Sequence, residues 1–179
     1  FENITADGRS VQGFIPDMVV DKDGDIWIAS NRSGGFHYNL ERDYLDFYPV
    51  MIEESSMGTI SLCTDNDNYV WVFPYSRPFL SIDKRTKQIK EFQLVSDNTF
   101  LFHTGEITDA LADQHGRLVL TTSQKGVIRI NTANRTHQVL LDRDATGNPL
   151  FARTVESIDA LTLWIGTESG IYIYDTETG

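Results

Sequence analysis

Cysteine is nearly missing from this sequence. Cys63 stands alone, which excludes an internal disulfide framework and a thiolate zinc cluster. It lies in an apolar strand pattern beside Ile60 and Leu62, where a free cysteine serves as a small hydrophobe. So low a count fits a reducing or an oxidising compartment equally well. Positive charge is short too: 15 Lys and Arg stand against 26 Asp and Glu, a formal charge of −11. That field opposes a phosphate backbone or an anionic bilayer surface, so neither nucleic acid nor direct membrane contact is expected. No window of 18 apolar residues occurs, and Phe1 opens neither a signal peptide nor an initiator product. The chain therefore reads as an excised piece, whose compartment must be argued from other features. Helical patterning is lacking as well, because no stretch sustains apolar residues at i, i+3, i+4 and i+7. That speaks against a parallel βα fold.

What is present is a repeat. The segments Asp21-Lys-Asp-Gly-Asp-Ile-Trp27, Asp65-Asn-Asp-Asn-Tyr-Val-Trp71, Asp113-Gln-His-Gly-Arg-Leu-Val119 and Asp159-Ala-Leu-Thr-Leu-Trp164 align, with anchors spaced by 44, 48 and 45 residues. Each unit reads as a short apolar strand before the Asp and a second strand around the anchor. A turn holding Gly35, Pro78, Gly126 or Gly170 leads into a third strand, and three units carry a fourth. Four short antiparallel strands at this period are the signature of propeller blades. The sequence thus predicts an all-β fold, a β-propeller of about four four-stranded blades at roughly 12–50, 57–95, 105–142 and 153–179. An antiparallel sandwich is the structural competitor, but it leaves the repeated Asp-to-Trp unit unexplained.

The Asp-rich turns have alternate-position oxygens, superficially like a calcium loop, yet no bidentate Glu follows at the required offset. The turn reading is preferred: side-chain oxygens cap backbone N–H groups, and Gly24 or Gly116 takes a left-handed conformation. Trp27, Trp71 and Trp164 could be stacking platforms, but a fixed aromatic in the second strand of each unit is more simply core between blades. Trp27 and Trp164 are accordingly expected to be nearly inaccessible. No catalytic residue, metal ligand or cofactor is expected in this segment.

The pattern Asp-x-x-Gly-x-(Ile/Leu)-Trp-Ile-Gly-Thr-x-x-Gly-(Gly/Ile)-x-x-Tyr resembles the two-component regulator propeller repeat. The first unit matches it at Asp21, Gly24, Trp27, Ile28, Gly34, Gly35 and Tyr38, and the fourth at Trp164, Ile165, Gly166, Thr167, Gly170, Ile171 and Tyr174. The third keeps Asp113, Gly116, Thr121, Thr122 and Gly126 but has Val119 for Trp, and the second has Phe73 and Pro74 in place of Gly-Thr. The resemblance implies the sensor region of a bacterial hybrid two-component histidine kinase, periplasmic and borne by an inner-membrane protein. It further implies recognition of a carbohydrate, with signalling to a kinase elsewhere in the parent chain. The alternatives are a fragment of a propeller enzyme acting on polysaccharide, a glycosidase or lyase, and a protein-interaction propeller.

In an antiparallel blade the connection after strand two and the connection to the next blade share one end. On that end the sequence places the 31–35, 74–78, 123–126 and 168–170 turns with longer connections at 49–58, 95–105 and 142–153. Flat aromatic faces and forked donors suit sugars, which makes Arg32, Tyr75, Arg77, Phe102, His103, Lys125 and Arg153 the candidate ligand contacts, with an oligosaccharide as the expected ligand. Strand counting adds that Phe1 to Thr5 resembles the end of a fourth strand, of a preceding or a closing blade. An open arc of a larger propeller is expected over a closed four-bladed ring. Its uncovered faces would meet the remaining blades of the parent propeller or self-associate.

Overall fold

The computed structural model describes residues 5–6, 9–11, 13–31, 34–48, 59–65, 68–74, 78–94 and 107–177. They form strands and turns; among them no helix is long and apolar enough to cross a membrane. The chain divides into two units, Phe1–Glu91 and Phe92–Gly179, the first with three sheets and the second with two.

In the first unit a two-stranded ribbon, β1 (Thr5–Ala6) with β2 (Arg9–Ser10), precedes two four-stranded antiparallel meanders. The first meander is β3 (Asp17–Val20), β4 (Ile26–Ser30), β5 (Gly34–Asn39) and β6 (Tyr44–Tyr48). The second is β7 (Thr59–Thr64), β8 (Tyr69–Pro74), β9 (Leu80–Asp83) and β10 (Ile89–Glu91). The second unit contains a four-stranded meander of β11 (Ile107–Ala112), β12 (Leu118–Thr122), β13 (Gly126–Asn131) and β14 (Thr136–Leu141). A three-stranded one follows, β15 (Ala152–Ser157), β16 (Thr162–Thr167) and β17 (Gly170–Asp175). Sequential strands pair throughout, so these sheets are propeller blades and the fold is an all-β propeller.

Register explains the anchor. Trp27 stands opposite Val19 and His37, and the period-two alternation of a strand puts Ala29 on the same face. That face packs on Leu62, Val70, Val72 and Ile82 of the second blade. In the second unit Val119, opposite Leu111 and Arg129, points in the same sense and packs on Val155, Leu163 and Ile165 of the fourth blade. The anchor therefore faces the blade that follows it. Trp27 is 2% exposed and Val119 1%.

Trp164 breaks the expectation of burial, being 42% exposed. Its neighbours Leu163 and Ile165 take the inward face against the third blade, so alternation turns Trp164 outward with Ile173, its ladder partner. The residue is a seam position like Trp27, on a blade whose outer face no described residue covers.

A polar contact repeats at both seams. Asp17 Oδ2 accepts from Ser61 Oγ (3.0 Å) and from the Leu62 amide (2.8 Å). Asp109 Oδ2 likewise accepts from Thr154 Oγ1 (2.7 Å) and from the Val155 amide (3.0 Å). The four side chains occupy one ladder position, opposite Ala29, Phe73, Thr121 and Gly166. A carboxylate accepting a backbone amide of the adjacent blade forms a charge-assisted bond, and it fixes the slide of one sheet along the other.

Candidate functional site

The two ends of a blade are chemically different. At one end lie the Asp turns. Asp21 Oδ1 accepts the amides of Asp23 and Asp25 at 3.0 and 3.1 Å, and Asp113 Oδ1 accepts those of His115 and Arg117, both at 2.9 Å. Gly24 and Gly116, with φ of 84° and 70°, supply the left-handed step. The second oxygen of each carboxylate is also engaged, Asp21 Oδ2 by Trp27 Nε1 at 3.0 Å and Asp113 Oδ2 by Arg117 Nε at 2.6 Å. Burial raises the Asp21 carboxyl. The Trp27 bond, the Lys84 ammonium and the two amides outweigh that and hold it below the ordinary carboxylate range. This end is turn chemistry. Among the described residues no group of three or more His, Cys, Asp or Glu is placed to hold a metal ion.

The opposite end carries the candidate site. In the second unit a hollow of about 240 Å³ opens between the β12–β13 turn and the connection from β14 to β15, lined by Gln124, Lys125, Val139, Asp142, Arg143 and Pro149. Both walls are built by local bonds. Thr122 Oγ1 donates to the Gly126 carbonyl at 3.0 Å and accepts the Lys125 amide at 2.8 Å, which holds the turn bearing Gln124 and Lys125. The same hydroxyl arrangement recurs at Thr167 and Gly170, and it gives the Thr of the Gly-Thr motif its role.

The other wall contains a turn that the anchor alignment misses. Asp144-Ala-Thr-Gly147-Asn148 copies the blade turn: Asp144 Oδ1 accepts the Thr146 and Asn148 amides at 2.8 and 2.9 Å, and Gly147 has φ of 86°. The Asp144 carboxyl lies below its ordinary range, held there first by the Thr146 hydroxyl and then by the Asn148 amide. Arg143 forms a bridge with Pro149 and donates to the Gly147 carbonyl at 2.8 Å. The long connection is thus an ordered hairpin that carries Asp142 and Arg143.

Lys125 is part of the hollow; Arg153 is not. Arg153 sits at a β-bulge, where the register shifts between Ala152 and Thr154. A bulge re-aims its side chain, and this one pairs with Glu168 in the β16–β17 turn. Arg32, Tyr75, Arg77, Phe102 and His103 lie outside the described residues. Gln124, Asp142, Arg143, Val139 and Pro149 were not singled out from the sequence. The available signal was a third Asp-x-x-Gly, at 144–147, which no anchor residue follows.

The family model for the two-component regulator propeller matches residues 10–32, the first repeat, so the resemblance read from the motif stands. No curated protein matches the chain by sequence. Among solved structures, the fold is similar to the extracellular domain of BT4673 from B. thetaiotaomicron, described as a one-component system. The identity is 20% and the TM-score 0.68, over 89% of this chain and 21% of that one. A second structure of a BT4673 extracellular domain, described as a hybrid two-component system, matches at 15% identity and a TM-score of 0.55, over 99% and 28%. The gluconolactonase XC5397 from Xanthomonas campestris is similar at 14% identity and a TM-score of 0.63, over 96% and 63%. The chain therefore spans about a fifth to under two thirds of the lengths of these structures. Such identities bear on the fold, a β-propeller carrying a two-component regulator repeat.

Proposed function

We propose that this chain is a ligand-sensing propeller segment of an extracytoplasmic, periplasmic sensor in a two-component signalling receptor, and that it contacts an oligosaccharide at the loop end of its blades. The observation that carries the reading is the hollow between two bonded walls at 123–126 and 142–150. It offers a lysine, an arginine, a carboxylate and an amide above the apolar sides of Val139 and Pro149. Ammonium and guanidinium donors suit hydroxyls or a uronate carboxylate, while the apolar pair suits the C–H face of a sugar ring. At about 240 Å³ the hollow is smaller than the roughly 300–1,000 Å³ of drug-sized ligand pockets, which fits one ring unit of a longer ligand. The signal would pass to a histidine kinase elsewhere in the polypeptide.

The test is calorimetry on the natural-length protein with neutral and uronate-containing oligosaccharides, followed by product analysis. Binding without turnover is expected, with affinity about tenfold weaker in Lys125→Ala, the loss of roughly one charge-assisted hydrogen bond. Unchanged affinity in both Lys125→Ala and Gln124→Ala would overturn the site. Turnover of any oligosaccharide would replace the sensing reading with the enzymatic one.

A further inference from the structure

The connection that walls the hollow runs on into a second feature. From Pro149 to Arg153 burial alternates residue by residue: Pro149, Phe151 and Arg153 are exposed, while Leu150 and Ala152 are buried in the core between the third and fourth blades. The backbone under this row is fixed on both sides, since the Leu150 amide donates to the Asp142 carbonyl at 2.9 Å and the Phe151 carbonyl accepts the Glu168 amide at 3.1 Å. The outward row leads from the hollow, which Pro149 lines, past Phe151 to the exposed pair of Arg153 with Glu168.

A single exposed apolar residue is ordinary, but the position of Phe151 recurs. It lies three residues before Thr154, and Phe14 lies three before Asp17, at the same ladder position of the first blade. Phe14 is 68% exposed and Phe151 42%. The Asn31 amide donates to the Phe14 carbonyl at 3.1 Å, just as the Glu168 amide does to that of Phe151. Folding does not call for a ring here, because the sequence has Gly58 and Glu106 at this position in the second and third units. What the ring offers is a flat apolar face at the loop end of the blade, carried on a fixed backbone.

We infer that Phe151 is the stacking platform for a second sugar ring, so that the site is a cleft for a saccharide of at least two rings. The inference rests on the ligand reading of the hollow and adds to it the residue that selects chain length. In an extended chain the Cα atoms of Pro149 and Phe151 are at most about 7 Å apart, a separation that adjoining rings of one saccharide span. A ring held by Lys125 and Arg143 above Pro149 sets its neighbour against Phe151.

Titration of the natural-length protein with cello-oligosaccharides and oligogalacturonides of one to four rings tests it, by calorimetry for the longer probes and by NMR for single rings. Phe151→Ala and Phe151→Leu should each weaken binding of the three-ring probe about tenfold, the loss of one aromatic contact, with single-ring binding unchanged. Phe151→Tyr keeps the flat face and should bind as the wild type does. Lys125→Ala should weaken single-ring and three-ring probes alike. Wild-type affinity for three rings in Phe151→Ala and Phe151→Leu, with Lys125→Ala still weakened, would overturn the inference and leave the hollow standing. So would wild-type affinity in Phe151→Leu alone, which would mean apolar contact without stacking, and so would an equal loss for single rings. No binding of either series at any length would overturn the ligand reading and this inference with it. If Phe151→Ala fails to fold, Phe151→Leu against Phe151→Tyr carries the comparison.

Discussion

Trp27→Ala should lower stability by about 3–5 kcal/mol, the usual result of deleting a large buried aromatic. Trp164→Ala in the same 179 residues should cost about 1 kcal/mol or less, in line with exposed substitutions. Both residues answer to one sequence motif, so composition does not separate them; their surroundings do. Trp27 stacks on His37 with ring centroids 4.4 Å apart, lies 5.2 Å from Tyr48, donates to Asp21, and packs on the aliphatic face of the next blade. Tyr48 shares that burial, which together with the Asp46 charge pushes its hydroxyl up to about 12. Trp164 stands between Glu156 and Ile173 in its sheet and has an open face. Urea unfolding of the two variants checks this: comparable losses of midpoint would mean that the anchor does not act through the seam.

The second large effect is expected at Gly126. A Cβ built there would lie 1.9 Å from the Leu141 carbonyl oxygen and 2.8 Å from the Asp142 Cα, both backbone, and φ is +70°. Gly126→Ala must therefore displace the end of β14 as well as bear the left-handed penalty, and a loss of at least about 3 kcal/mol follows. Gly116 is the matched control, because its φ is also +70° but nothing lies within 4 Å of its Cβ position. Gly116→Ala should show the conformational penalty alone, about 1–2 kcal/mol. Equal losses by thermal unfolding would remove the close approach from the account. Because Asp142 belongs to the hollow, Gly126→Ala should also weaken ligand binding by more than its stability loss explains, whereas Gly116→Ala should not.

The blades were legible in the sequence because strand alternation, turn glycines and the Asp-to-Trp spacing all repeat at one period. The exposure of Trp164 was not, since a motif records which face a side chain takes but not whether another sheet lies on that face. The Asp17 and Asp109 seam bonds escaped for a related reason. Their partners, Ser61 and Thr154, are 44 and 45 residues away, and position-specific pairing of a carboxylate with a hydroxyl leaves no local pattern. The loop end was legible as segments, since 123–126 and 142–153 follow from strand direction alone. Which side chains meet there was not, because the Asp144 turn folds the long connection back and brings Arg143 and Pro149 together. Arg153 stood out in sequence as a loop cation. Its pairing with Glu168 at a bulge was not legible there.

Under the proposed function the two ends of a blade divide the work, with Asp turns holding the sheets and the opposite end meeting ligand. Hydrogen exchange of the natural-length protein, with and without a saturating oligosaccharide, measures this directly. Added protection should fall on residues 123–126 and 142–150, with the Asp turns at 113–117 and 159–162 unchanged. Protection confined to those Asp turns, with none at 123–126 or 142–150, would contradict it.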